Sequence, residues 1–194
     1  MRPDYEEARA ALAMRLGSRS LAHAEAVAAT AGELAERFGV DVEAARLAGL
    51  LHDWCKDTPA EELLFEARVR DIEITDVDRM RPYLLHGPVG AALLADRYPD
   101  LDAEIRRAVE IHTFGAATMT DLDRILYVAD MIEPGRDYRG VDKLRAASCV
   151  ETLPELLLLA YRRSVTHVIR ARRPLHPRTL EVWNSLVADK AVSP

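Results

Sequence analysis

Four histidines and two aspartates recur along this 194-residue chain where a core would otherwise be expected: His23, the adjacent pair His52 and Asp53, His86, His112 and Asp130. In "LAGLLHDWCKD", residues 47–57, the pair follows Leu47, Leu50 and Leu51, and Lys56 comes three residues after Asp53. A carboxylate carried into apolar surroundings is costly unless it is paired or bound to a metal. One histidine on an apolar face is commonly a core residue with one hydrogen bond, and one buried aspartate commonly pairs with an arginine. Six such residues on separate segments would each need a private partner, and the arginines and lysines cluster elsewhere. Neutral imidazoles and carboxylates converging in a helical bundle are the donor set of a first-row metal site. Cys55 and Cys149 lie in no metal-type spacing, which removes a structural zinc.

The elements that must bring these residues together are helical. "HAEAVAATAGELAERFGV" carries Val27, Ala31, Leu34 and Phe38 as a stripe that Gly39 can close. "DVEAARLAGLLHDWCK" follows, with Asp41 as N-cap and Pro59 beyond its end. "PAEELLFEARVR" and "HGPVGAALLADRYP" are shorter helices, the second opened by His86 and Gly87-Pro88. "DLDAEIRRAVEIHTF" puts Ile105, Ala108, Val109 and His112 on one face, and "TDLDRILYVADMIEP" does so with Leu122, Ile125, Leu126 and Ala129. Two more helices are expected over 153–172 and near 177–188. "RDIEIT" reads as a strand, but one strand makes no sheet. The expected fold is a single all-α helical bundle over 1–194, with a metal-site core at about 18–135 and C-terminal helices at about 150–190.

The totals set the company this chain keeps. Net charge is −6, which argues against a nucleic-acid partner while leaving room for a small anionic ligand in a local positive pocket. No run approaches the roughly 18 apolar residues of a membrane span. The start "MRPDYEEARA" is acidic and lacks an apolar signal segment. Two cysteines make no disulfide framework, so a cytoplasmic setting is expected.

The order His23, His52-Asp53, His86, His112, Asp130 resembles that of the HD-domain superfamily of metal-dependent phosphohydrolases, in its two-metal branch. "LLHGPVGA", "IHTFGAATM", "LYVADMIEPGR" and "HPRTLEVWN" are similar to the bacterial YqeK-like family of symmetrical dinucleoside tetraphosphate hydrolases, from about His23 to about Asn184. One departure is Ser20, three positions before His23, where that family carries a basic residue; Arg19 is one step off and receives no substrate role.

The resemblance implies a first metal on His23, His52, Asp53 and Asp130, and a second on Asp53, His86 and His112. Neighbouring helical residues point about 100° apart, so His52 and Asp53 can grip different sides of one site, and Asp53 can bridge with one oxygen per cation. Two divalent transition-metal ions are implied, iron in the family, with manganese, cobalt or zinc also suiting the donors. Asp53 and Lys56 would be catalytic, with a hydroxide bridging the metals as nucleophile. Lys56, Arg136 and Arg145 would bind substrate. The implied reaction cleaves diadenosine tetraphosphate to two ADP. Partners are then the nucleotide substrate and its diphosphate product, with a homodimer left open. The rivals are another nucleotide phosphohydrolase on the same site, a di-iron oxygenase, and a non-catalytic nucleotide-binding module. Lys56 and the arginines favour phosphate chemistry over oxygen chemistry. His167 and His176 fall outside the ligand set, with His176 expected as a structural hydrogen-bonder; Arg139 and Asn184 receive no assigned role.

Overall fold

Small side chains let the central helices approach closely, and the rest of the molecule is arranged around that contact. The structure is a computed structural model and describes residues 2–191. The helices are α1 (Tyr5–Ala13), α2 (Ser18–Phe38), α3 (Val42–Leu51), α4 (Ala60–Val69), α5 (Asp76–Met80), a 3₁₀ turn (Pro82–Leu85), α6 (His86–Arg97), α7 (Ala103–Ile111), α8 (Asp121–Ile132), α9 (Val141–Ala147), α10 (Leu153–Arg170) and α11 (Pro177–Ala191). No strand occurs among the described residues, so the expected all-α class holds. No helix is long and apolar enough to cross a membrane.

α2 packs along α3 and α8, α7 rests on α3, α6 and α8, and α10 lies on α8 with α11 behind it. Ala24, Ala28, Ala31 and Ala35 on α2 are fully buried, as are Ala45 and Ala48 on α3. Gly49 is the tightest point. A Cβ there would sit 2.7 Å from Ala28 Cα and 2.9 Å from its backbone nitrogen, so only glycine lets α3 lie this close to α2. The caps match their residue types: Gly39 ends α2 at φ +71°, and Asp41 accepts from Ala44 N–H at 3.0 Å to open α3.

Three features differ from the sequence expectation. The segment Arg70–Thr75 is a loop in which Ile72 and Ile74 pack onto the helical core; their alternation serves burial, and no partner strand exists among the described residues. α1, α5, α9 and the 3₁₀ turn were not anticipated, because each is short. α1 buries only Ala8 and Leu12, and α9 only Val141 and Leu144 inside a charged run. The third difference matters most for chemistry. α3 stops at Leu51, and His52 to Asp57 continue as successive tight turns with Trp54 N–H on Leu51 O, Lys56 N–H on Asp53 O and Thr58 N–H on Cys55 O.

Candidate metal centre

The turn after α3, the start of α6, the end of α7 and the last turn of α8 meet against the N-terminal part of α2. His23 comes from α2, His86 is the first residue of α6, His112 caps α7, and Asp130 lies near the end of α8. All six sequence-expected residues are brought together. Asp53 is wholly buried between them. Its Oδ2 faces His52 Nε2 at 3.2 Å and His23 Nε2 at 3.6 Å, while its Oδ1 faces His86 Nε2 at 3.1 Å and His112 Nε2 at 3.8 Å. Asp130 Oδ1 is 3.0 Å from His23 Nε2 and 3.8 Å from His52 Nε2.

Helix ends orient the imidazoles. His52 Nδ1 donates to Gly49 O at 2.7 Å, His86 Nδ1 to Tyr83 O at 2.6 Å, and His112 Nδ1 to Val109 O at 2.7 Å. Each acceptor is the carbonyl three residues earlier, at the end of a helix or turn; Tyr83 O also accepts the His86 N–H. A carbonyl can only accept, so Nδ1 carries the proton and Nε2 is the atom turned to the centre. At His52 burial disfavours a second proton, but Asp53 and Asp130 outweigh it and raise the pKa. Gly87 keeps two of these rings adjacent. A Cβ there would lie 3.0 Å from Glu110 O and 3.3 Å from the His112 ring.

This arrangement suits a cation. His86 Nε2 and His112 Nε2 are 2.9 Å apart, and with both Nδ1 atoms protonated their lone pairs face each other and Asp53. His52 Nε2 and Asp53 Oδ2 are buried with no hydrogen-bond partner among the described residues. Burial, then the neighbouring His86 and His52, lowers the His112 pKa to about 3, so this ring stays neutral. For Asp53 and Asp130 burial works against charge, but their partners outweigh it and hold both carboxyls well below the usual range. Those partners are His52, His86 and Lys56 around Asp53, and His23, His52 and Arg136 around Asp130. Converging imidazole nitrogens and ionised carboxylates fit divalent cations. His23, His52 and Asp130 each offer one donor atom within 4.8 Å of the others, and so do His52, Asp53 and His112.

The cationic residues divide in their placement. Lys56 Nζ is 3.2 Å from Asp53 Oδ1, and with its side chain 37% exposed it stands at the mouth of a cavity of about 150 Å³. Arg136 donates to the Asp130 carboxylate and, at 2.7 Å, to Asp130 O. Arg145 is not at the cavity. Its guanidinium donates to Ile132 O at 2.9 Å, to Glu133 O at 2.8 Å and to Arg136 O at 2.8 Å, so it shapes the 132–136 turn. A fourth turn carbonyl, Pro134 O, lies at 3.4 Å, and Glu133 O also accepts the Arg136 N–H at 3.0 Å.

Sequence reasoning passed over Glu133. This buried carboxylate accepts from His23 Nδ1 at 3.1 Å and from Gly135 N–H, doing for His23 what backbone carbonyls do for the other three rings. The only sequence signal was its place in "MIEPGR". His176 sits elsewhere, as expected of a structural group: it pairs with Asp78 at 3.2 Å and accepts from Arg178 N–H. Asp78 also completes a capping box with Thr75, so His176 ties the start of α11 to α5.

The comparisons with known proteins agree with this geometry. The HD domain family model matches residues 21–135, which contain all six clustered residues. The chain is 34% identical over 183 residues to the symmetrical bis(5'-nucleosyl)-tetraphosphatase of Bacillus subtilis (strain 168), covering 94% of this chain and 97% of that one. A Staphylococcus aureus (strain NCTC 8325 / PS 47) protein of the same name is 32% identical, with 93% of each chain covered. Among solved structures, a Clostridium acetobutylicum protein described as a predicted HD superfamily hydrolase involved in NAD metabolism superposes with a TM-score of 0.90. It is 35% identical, and the match covers 97% of this chain and 100% of that one. The chain belongs to the HD-domain family, alongside relatives that carry the name symmetrical bis(5'-nucleosyl)-tetraphosphatase.

Proposed function

We propose that this protein is a metal-dependent hydrolase that cleaves diadenosine tetraphosphate, or a related dinucleoside polyphosphate, symmetrically into two nucleoside diphosphates. The observation that carries the metal chemistry is the set of four imidazole Nε2 atoms converging on Asp53 and Asp130. The substrate follows from the near full-length similarity to relatives named for it.

His23, His52, Asp53 and Asp130 would hold one cation, and Asp53, His86 and His112 a second. The split of contacts between the two Asp53 oxygens supports this grouping. Cations so placed supply an acidified water and neutralise phosphate charge. Iron is the metal we propose, since nitrogen and oxygen donors without thiolate suit it.

The chain's own residues do the rest. Asp53 and Asp130 stay ionised, so the ligand set is ready without a proton to lose. Lys56 presents its ammonium where a phosphate entering the cavity would meet it, and stabilises charge that grows as the anhydride breaks. Arg136, anchored on Asp130, borders the adjoining part of the cleft and meets a second phosphate. A small nucleotide, not a nucleic acid, is the partner we propose for a chain of net charge −6. The free thiols of Cys55 and Cys149 accord with a cytoplasmic setting.

Product analysis of the purified, metal-loaded protein tests this reading. Diadenosine tetraphosphate should give ADP alone, and hydrolysis in oxygen-18 water should label one of the two ADP molecules from each event. AMP plus ATP would show attack at a different phosphorus. Rapid turnover of a mononucleotide with no cleavage of the dinucleotide would replace the reading with that of a general nucleotide phosphohydrolase.

A further inference from the structure

The cavity beside Lys56, at about 150 Å³, is smaller than the roughly 300–1,000 Å³ that small-molecule sites take. It opens into two lobes. One, of about 340 Å³, shares Asp130 and Met131 with it and adds Arg136, Tyr138 and Arg163. The other, of about 250 Å³, shares Tyr83, Thr113 and Tyr127 with it and adds Arg81 and Arg173, while His167 borders both lobes. Ser164 of α10 borders all three spaces.

The second lobe is built for an anion with an aromatic end. Among the described residues, the side chains of Arg81, His167 and Arg173 make no hydrogen bond or ion pair. Arg136, in the other lobe, holds a carboxylate instead. Unpaired guanidinium groups facing a concave space are preformed phosphate forks. Tyr83, 48% exposed, offers an aromatic face beside them, held nearly parallel to the His86 ring.

We propose that the Arg81–Arg173 lobe is a second subsite, which takes the nucleoside diphosphate half that the Arg136–Arg163 lobe does not hold. This rests on the proposed function: a substrate cut at its middle extends equally to both sides of the metal centre. Both halves carry phosphates and a base, so two cationic, aromatic-edged lobes suit them where one would not. Each lobe reaches the centre through residues it shares with the small cavity, so neither half needs to leave contact with protein.

The test compares two probes on metal-loaded protein by calorimetry: a methylene-bridged, non-hydrolysable analogue of diadenosine tetraphosphate, and ADP. The double variant Arg81→Ala/Arg173→Ala should bind the analogue about tenfold more weakly or worse, since it loses two charge-assisted contacts. Its ADP affinity should stay within about threefold, because ADP alone can sit on the metals and the Arg136 lobe. Arg81→Lys/Arg173→Lys should recover part of the loss. Unchanged analogue binding overturns the subsite, and so does an equal loss for both probes, which would make this lobe the ADP site itself. Should the double variant misfold, Arg173→Ala alone, at an exposed position, carries the same comparison. A wild-type protein that cleaves diadenosine tetraphosphate while the variant binds the analogue normally would remove only the lobe. A wild-type protein that leaves the dinucleotide intact would remove the proposed function and the lobe with it.

Discussion

Asp53 shows why single residues here have unequal consequences. Both its oxygens face imidazole nitrogens, so its loss removes a donor from each side of the centre. Asp53→Ala is expected to retain less than half the wild-type metal, measured by elemental analysis after purification without chelator. Lys56 touches the same carboxylate from the cavity mouth, yet it is no donor to a metal. Lys56→Ala should keep its metal and its thermal midpoint while losing on the order of a hundredfold in turnover. A large stability loss with unchanged kinetics would return Lys56 to an ordinary ion pair. Glu133 acts one step further out, through His23. Glu133→Gln should weaken metal binding by roughly 10–100-fold in a chelator competition, with the fold intact.

At the scale of elements, three of the four imidazoles sit at helix boundaries. His52, His86 and His112 each spend Nδ1 on a terminal carbonyl, so the geometry of a helix end becomes the geometry of the centre. Gly49 joins the two roles, since its missing Cβ allows the α2–α3 contact and its carbonyl holds His52. Gly49→Ala meets backbone, which cannot rotate away. A loss of about 1–3 kcal/mol is expected in denaturant unfolding, together with weaker metal retention. Arg145 tests the turn after α8. Arg145→Ala leaves the carbonyls of Ile132 and Arg136 without a donor, while Glu133 O keeps the Arg136 N–H, and a cost of roughly 1.5–3 kcal/mol is expected. If Arg145→Ala instead changed only KM, at full stability, the residue would be a substrate contact after all.

For the whole molecule, the cluster places facing lone pairs and two ionised carboxylates at the junction of five segments. Cations bound there bind the folded chain far better than the unfolded one, so they stabilise it by mass action. Chelation is expected to lower the thermal midpoint by several degrees, and re-addition of iron or manganese should restore it. A midpoint indifferent to chelator and metal would show that the cluster holds no cation under those conditions.

The sequence by itself determined the helical class, the ligand-type residues and their order, because periodicity and residue chemistry are local properties. It also marked Lys56 and the charged run after Asp130, where Arg136 and Arg145 look alike. Only the tertiary structure separated those two arginines: Arg136 borders the cleft, while Arg145 is consumed by four turn carbonyls that no spacing reveals. The same holds for Glu133, whose partner His23 is 110 residues away. The short helices α1, α5 and α9 have too few apolar residues for a readable period; packing against other helices holds α1 and α9, and the Thr75–Asp78 capping box with His176 holds α5. His52 and Asp53 read as mid-helix residues, yet α3 ends before them. Helix ends are decided by which carbonyls find other partners, and here the partner is the histidine's own ring.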